Sequence, residues 1–245
     1  MRHLLLPLAM IRAILLIVGM VMFMMAYAVS CIFIPHNLTR ALRLRKSYLK
    51  FWAIPVLNIR VHVKSKPKTQ PAVFVSNHRS FVDPIVICRY LDAFVIAKAE
   101  VASYPVINKG AELTGIIWVD RDSKDSRVAT REKMIETIQK GYNILVFPEG
   151  TVGKEKHTLP FRKGTFWESA EHDIPVSPIA IEYKSDLDLW VIPNFLLQFF
   201  RQFSKWETVV SLTFGEPMTS GDGDQLHDNA YQWINTTIET AQKSW

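Results

Sequence analysis

Between Ala13 and Ile34 the chain runs for 22 residues without a charged side chain, and no other feature restricts its possible folds so strongly. A helix of that length measures about 33 Å, enough to cross the roughly 30 Å hydrocarbon layer of a bilayer. Met and Leu fall on all its faces and Gly19 is its one weak helix former. A membrane segment is therefore expected. Two other readings are a core helix of a soluble body and a cleaved leader, since Ala28-Val29-Ser30-Cys31 loosely resembles a lipoprotein cleavage site with Arg2 and Arg12 as its basic flank. Cleavage there would discard the anchor.

The charge is divided unevenly. Residues 1 to 82 hold twelve Lys or Arg and no Asp or Glu, a charge of +12; the remainder has 17 basic and 23 acidic residues, or −6, giving the total of +6. These cations flank an apolar stretch rather than an aromatic-studded sheet, so lipid headgroups and not nucleic acid are the implied partner. After Pro35, Leu38 to Leu57 interleaves Arg40, Arg43, Arg45, Lys46 and Lys50 with Leu42, Leu44, Leu49, Phe51, Trp52 and Ile54. That mixture predicts a helix at headgroup level, where anionic lipid attracts each Lys or Arg by about 1 kcal/mol; the alternative is a basic helix packed on the domain. Five basic residues on this side against two near the amino end put the domain that follows on the cytoplasmic side of the cell inner membrane. Residues 1–58 are expected to anchor, and residues 59–245 to form the folded domain.

From there short apolar strands alternate with helices. Strands are expected at Ile59 to Val63, Ala72 to Val75, Phe94 to Ala97, Ile116 to Val119, Ile144 to Phe147, Ser177 to Glu182 and Val209 to Phe214. Helices are expected at Pro84 to Tyr90, Val106 to Leu113, Ser126 to Lys140, Lys163 to Glu171 and Asp224 to Gln242, with a polar linker from Lys64 to Pro71. This order predicts an α/β fold with a single mixed, largely parallel sheet flanked by helices, preceded by the membrane-embedded helical segment. Cys31 and Cys88 are too few for a disulfide framework. The seven histidines show no i, i+4 pairing, so neither a disulfide nor a metal is expected.

Chemistry concentrates at Asn77-His78-Arg79-Ser80-Phe81-Val82-Asp83-Pro84. The strand before it delivers His78 to a carboxyl end, where open α/β sheets place their sites. Asp83, directly before Pro84, is placed to cap the next helix, and on this stretch alone an ordinary cap is sufficient explanation. A carboxylate bonded to one imidazole nitrogen would also leave the other free to take a proton from a hydroxyl. Further along stand Gly115-Ile116-Ile117-Trp118-Val119-Asp120-Arg121, Phe147-Pro148-Glu149-Gly150-Thr151 and Ile174-Pro175-Val176-Ser177-Pro178-Ile179.

Taken in order, the four blocks resemble those of the glycerolipid acyltransferases, most closely the bacterial 1-acylglycerol-3-phosphate acyltransferases, from about Pro35 to Phe214. The resemblance implies transfer of an acyl chain from acyl-CoA or acyl carrier protein to a lysolipid hydroxyl, with no cofactor. It implies His78 as base and Asp83 as its orienter, and Asn77, Lys98, Arg121, Glu149, Gly150 and Thr151 on the substrate side. The thioester is already activated, so the hydroxyl can attack it directly, and no serine or cysteine stands in a nucleophile elbow. A membrane-anchored phosphoester hydrolase and a catalytically silent lipid-binding module are the rival classes. The first would want several arginines near His78, where only Arg79 is adjacent; the second would want His78 or Asp83 lost. One departure stands out. Relatives commonly carry arginine after Glu-Gly-Thr, where this chain has Val152. Either Lys154, Arg162 or Lys163 replaces it, or the acceptor is another lysolipid, such as an amino-acid-containing one.

Overall fold

The computed structural model describes residues 6–68, 71–99, 114–120 and 123–245. Its strands are β1 (Ile59–Val63), β2 (Val73–Ser76), β3 (Ala93–Lys98), β4 (Ile116–Val119), β5 (Asn143–Val146), β6 (Val176–Tyr183) and β7 (Thr208–Phe214). They form one sheet in the order β1-β7-β6-β2-β5-β3-β4. Neighbours run parallel except β6 and β7, so the sheet is mixed and largely parallel, as expected. Every residue of β2 and β6 is buried, because both faces are covered. Successive side chains of β2 alternate between two cores. Phe74 joins Leu57, Val86, Ile179, Ile181 and Phe203, whereas Val73 and Val75 join Ile144, Phe166, Leu226, Ala230, Ile234 and Ile238.

The covering helices are α1 (Leu6–Phe33), α2 (Leu38–Tyr48), α3 (Ile54–Leu57), α4 (Asp83–Cys88), α5 (Lys124–Gln139), α6 (Gly164–Glu171), α7 (Phe195–Phe203) and α8 (Gly223–Gln242), with a π turn at Leu49–Ala53. The sequence pattern predicts nothing between Glu182 and Val209, yet α7 forms there; its phenylalanines have modest helix propensity, and Asn194 caps it by accepting from the Leu197 N–H at 3.0 Å. The expected helix Val106 to Leu113 lies outside the described residues.

The apolar run becomes α1, long and apolar enough to cross a membrane, but it lies along the body. The Tyr48 hydroxyl and the Trp52 indole donate to the Leu16 and Leu15 carbonyls at 2.9 and 2.8 Å. Gly19 is needed here for contact rather than flexibility: a Cβ on it would fall 2.0 Å from the Trp52 indole nitrogen. At one end Arg12, 4% exposed, donates to the carbonyls of Phe203, Lys205 and Trp206 at 2.6 to 2.9 Å, a cation at the negative end of α7. At the other, Arg40 donates to Ser30 Oγ at 2.8 Å. Ala9, Leu49 and Ile54 share one cluster with Phe74 and Leu212. Part of the basic segment packs on the domain, while Arg43, Lys50 and Phe51 are exposed. Arg45 donates to the Ala93 and Thr114 carbonyls and Lys46 pairs with Asp92 at 3.0 Å.

Candidate active site

β2 ends at Ser76, but its ladder with β6 does not. The Asn77 side chain accepts from the Ile181 N–H at 2.9 Å and donates to the Ile181 carbonyl at 2.8 Å, imitating one more rung. The sequence places Asn77 on the substrate side; it is instead fully buried, with its amide turned into the sheet. The rung fixes where His78 starts.

His78 is then held from four directions. Its N–H donates to Glu149 Oε1 at 2.7 Å, and its carbonyl accepts from the Gly153 N–H at 2.8 Å. The ring stacks on Phe147 with centroids 4.2 Å apart, and Nδ1 lies 2.7 Å from Asp83 Oδ2. The side chain is 20% exposed, and Nε2 has no partner among the described residues.

Asp83 is not the helix cap. It is the first residue of α4, whose cap position is Val82, and its carboxylate reaches back into the preceding turn. Oδ2 accepts from the N–H groups of Arg79 and Ser80 at 2.6 and 2.8 Å, and Oδ1 from the Tyr183 hydroxyl at 2.7 Å. Burial, together with the Asp83 charge, pushes the Tyr183 phenol well above its ordinary value, so it remains a donor. Donors surround the carboxylate, so Nδ1 is the ring nitrogen placed to donate to it, which leaves Nε2 for a ligand.

Glu149 was also expected at the substrate. It emerges beside His78, since β5 pairs with β2 through Val75 and Val146, but it is only 6% exposed and binds backbone: Oε1 takes the His78 N–H and Oε2 the Leu159 N–H at 3.0 Å. Burial pushes its carboxyl above the usual range, with these two donors and nearby Arg79 and His78 acting the other way. Gly150 has φ +74, and the Arg162 guanidinium lies over it, 3.0 Å from where a Cβ would stand; any side chain would be strained and would displace the arginine. Thr151 is exposed and Val152 half-buried. Of the three cations that could replace an arginine at 152, Lys163 is paired with Asp224 at 2.8 Å, Lys154 is exposed, and Arg162 covers the turn itself. Lys98 is exposed at the carboxyl end of β3, two strands from β2, about 10 Å away by strand spacing. Arg121 lies outside the described residues.

Two residues have a part that sequence reasoning did not assign. Tyr183 orients Asp83. Arg79, 1% exposed, donates to the carbonyls of Gly153, Glu155 and Lys156 and, at 3.1 Å, to Glu182 Oε2, joining the loop after Thr151 to β6. Only burial distinguishes such an arginine from a surface one, and a single sequence does not show it.

The site can orient an imidazole against a buried carboxylate beside a cation-covered turn, which suits deprotonation of a hydroxyl near an anionic group. The comparisons agree with that chemistry. The lyso-ornithine lipid O-acyltransferase of Pseudomonas aeruginosa is 30% identical over 146 residues, 58% of this chain and 56% of that protein. The mouse 1-acyl-sn-glycerol-3-phosphate acyltransferase alpha is 33% identical over 134 residues, 52% and 47% of the two chains. The chain thus spans about half the length of these curated relatives. The crystal structure of the 1-acyl-sn-glycerophosphate acyltransferase PlsC from Thermotoga maritima superposes with a TM-score of 0.73 at 20% identity, over 97% of this chain and 99% of that one, which establishes the shared fold. The model of the Acyltransferase family matches residues 58–182, half of the chain and the whole stretch from β1 to β6 that carries His78, Asp83 and Glu149, and the chain belongs to that family.

Proposed function

We propose that the protein is a membrane-associated O-acyltransferase that moves a fatty acyl chain from acyl-CoA or acyl carrier protein to the free hydroxyl of 1-acylglycerol-3-phosphate, giving phosphatidic acid. The observation that carries the reading is the His78–Asp83 pair at 2.7 Å on a His78 side chain that stays 20% exposed. Nε2 takes the hydroxyl proton as the oxygen attacks the thioester carbonyl; the new C–O ester bond forms, the C–S bond breaks, and the proton passes to the departing thiolate. No acyl-enzyme is needed. Arg162 over Gly150, with Lys98 at the end of β3 and Arg121, two residues beyond β4 in sequence, would hold the phosphate, and Thr151 adds an exposed hydroxyl. Residues 1–58 act as anchor and residues 59–245 as catalytic domain, on the cytoplasmic face of the inner membrane, in keeping with the +12 charge of residues 1 to 82.

A second acceptor is favoured by Val152. With a single guanidinium at this turn, a head group carrying one carboxylate is matched as well as a phosphate dianion, so a lyso-ornithine lipid is the alternative substrate. Purified protein in detergent, given radiolabelled acyl thioester and both lysolipids, tests the reading. Transfer to the phosphate-bearing acceptor is expected to exceed transfer to the other. The reverse preference would select the alternative, and transfer to neither would overturn both.

A further inference from the structure

α7 seats Phe199 and Phe203 in the core, yet the rest of it is placed unusually for a helix in water. Its glutamines, Gln198 and Gln202, are 0% exposed, while Leu196 and Leu197 are 62% and 59% exposed. Gln198 is satisfied through both ends of its amide and Gln202 through its oxygen. Gln198 accepts from the N–H groups of Val191 and Ile192 and donates to the Leu189 carbonyl at 3.0 Å, and Gln202 accepts from the Ser80 hydroxyl at 3.2 Å. A soluble helix turns its amides outward and its leucines in; this arrangement suits an apolar surrounding. The exposed apolar surface extends beyond the helix to Val191 and Trp206, 42% and 68% exposed. It also meets α1, because Arg12 joins that helix to the α7 end, with Ile11 and Ile14 exposed on either side of the arginine. At its other end it reaches the catalytic turn: Phe81, between His78 and Asp83, packs on Trp190 and Phe195 with centroids 5.5 and 4.8 Å apart.

We propose that α7, with Val191 and Trp206, is a second membrane-inserted surface, seated in the same leaflet as α1 and opening beside the His78 turn, so that a lysolipid reaches the base laterally with its acyl chain still among lipid tails. The occupant is lipid because the surface continues that of α1, whose outward side chains are apolar from Met10 to Phe33. The delivery step rests on the acyltransferase reading; the insertion does not.

The full chain carrying Leu197→Cys and Cys31→Ser, with an environment-sensitive fluorophore on the new thiol (Cys88 is buried), is mixed with vesicles of phosphatidylethanolamine and phosphatidylglycerol. A blue shift that lipids brominated on their acyl chains quench is expected. A spectrum that stays that of water overturns the insertion, as does a shift that needs only higher protein concentration and no vesicles, which would make the surface a protein interface. In the double variant Leu196→Asp/Leu197→Asp, vesicle flotation should persist through α1. Transfer to vesicle-borne lysolipid should fall about tenfold, while transfer to a short-chain, monomeric lysolipid stays within about twofold. Equal loss with both substrates, or no loss with either, overturns lateral delivery. A wild type inactive on every acceptor would defeat the proposed activity and leave the fluorescence result standing.

Discussion

The turn after β2 and the turn after β5 lie side by side and are built on opposite plans. At the first, Asn77, Arg79, Ser80 and Asp83 are all buried and their polar groups bind one another, the sheet, the loop after Thr151 or α7. At the second, Glu149 is the buried polar side chain; Thr151 and Arg162 are exposed, and the guanidinium rests on a bare glycine. Removing a group from the first leaves buried partners unsatisfied, at about 1–3 kcal/mol each. Changing the second alters one exposed contact, worth about 1 kcal/mol or less. Proton transfer is thus held rigid, while recognition of the acceptor can change with little penalty to the fold.

The sharpest way to break the comparison is His78→Ala. It should lower turnover by roughly 10² to 10⁴ while the detergent-solubilised protein keeps its circular dichroism; near-normal turnover would remove the base. Tyr183→Phe deletes one donor to Asp83 and should lower kcat by about tenfold, with KM for the lysolipid unchanged. A change confined to KM would move Tyr183 to the substrate side of the comparison. Arg162→Ala should raise KM for an anionic lysolipid by about fivefold and leave KM for the acyl thioester alone. If Arg121→Ala has that effect and Arg162→Ala has none, the anion lies nearer β4. Val152→Arg should be smaller still, at most about a twofold gain with the phosphate-bearing acceptor.

A last test reads a slope. Because burial raises the Glu149 carboxyl in the folded protein, the fold binds a proton that the unfolded chain has released. Its contribution to stability is full below the ordinary value of 4.5 and is lost as pH rises through the raised one. The thermal midpoint in detergent should fall across that window, and Glu149→Gln should flatten the fall; an unchanged slope would mean the carboxylate is held ionised throughout.

The sequence carried the sheet well, because strands buried on both faces read as unbroken apolar runs such as Val73 to Val75 and Ile144 to Val146. It also carried the juxtaposition of His78 with Asp83 and Glu149. It did not carry direction. Asn77 and Glu149 were legible as polar residues at strand ends, but whether such a side chain turns outward to a ligand or back to a backbone amide depends on β6 and on the loop at Leu159, far away in sequence. The partners of the α2 cations were illegible for the same reason: Asp92, Ala93 and Thr114 come from other elements. α7 escaped because glutamines share its buried face with Phe199 and Phe203 while Leu196 and Leu197 are exposed, which blurs the pattern by which a helix in water is recognised.

The side-chain rung at Asn77 has a geometric consequence for the reactive residue. Along a strand, orientation is dictated by alternation, and slipping the pairing by one position turns every side chain to the opposite face. By stopping β2 at Ser76 and letting an amide rather than the main chain make the next link to Ile181, the fold releases His78 from that two-step rhythm while keeping its origin as firm as a paired residue's. The same link recognises one register only, since it needs a donor and an acceptor together opposite Ile181. Aspartate, nearly identical in shape, offers two acceptors at neutral pH and could not close it. The exchange of a single nitrogen for oxygen would therefore loosen the coupling between sheet and base without altering the volume of the core.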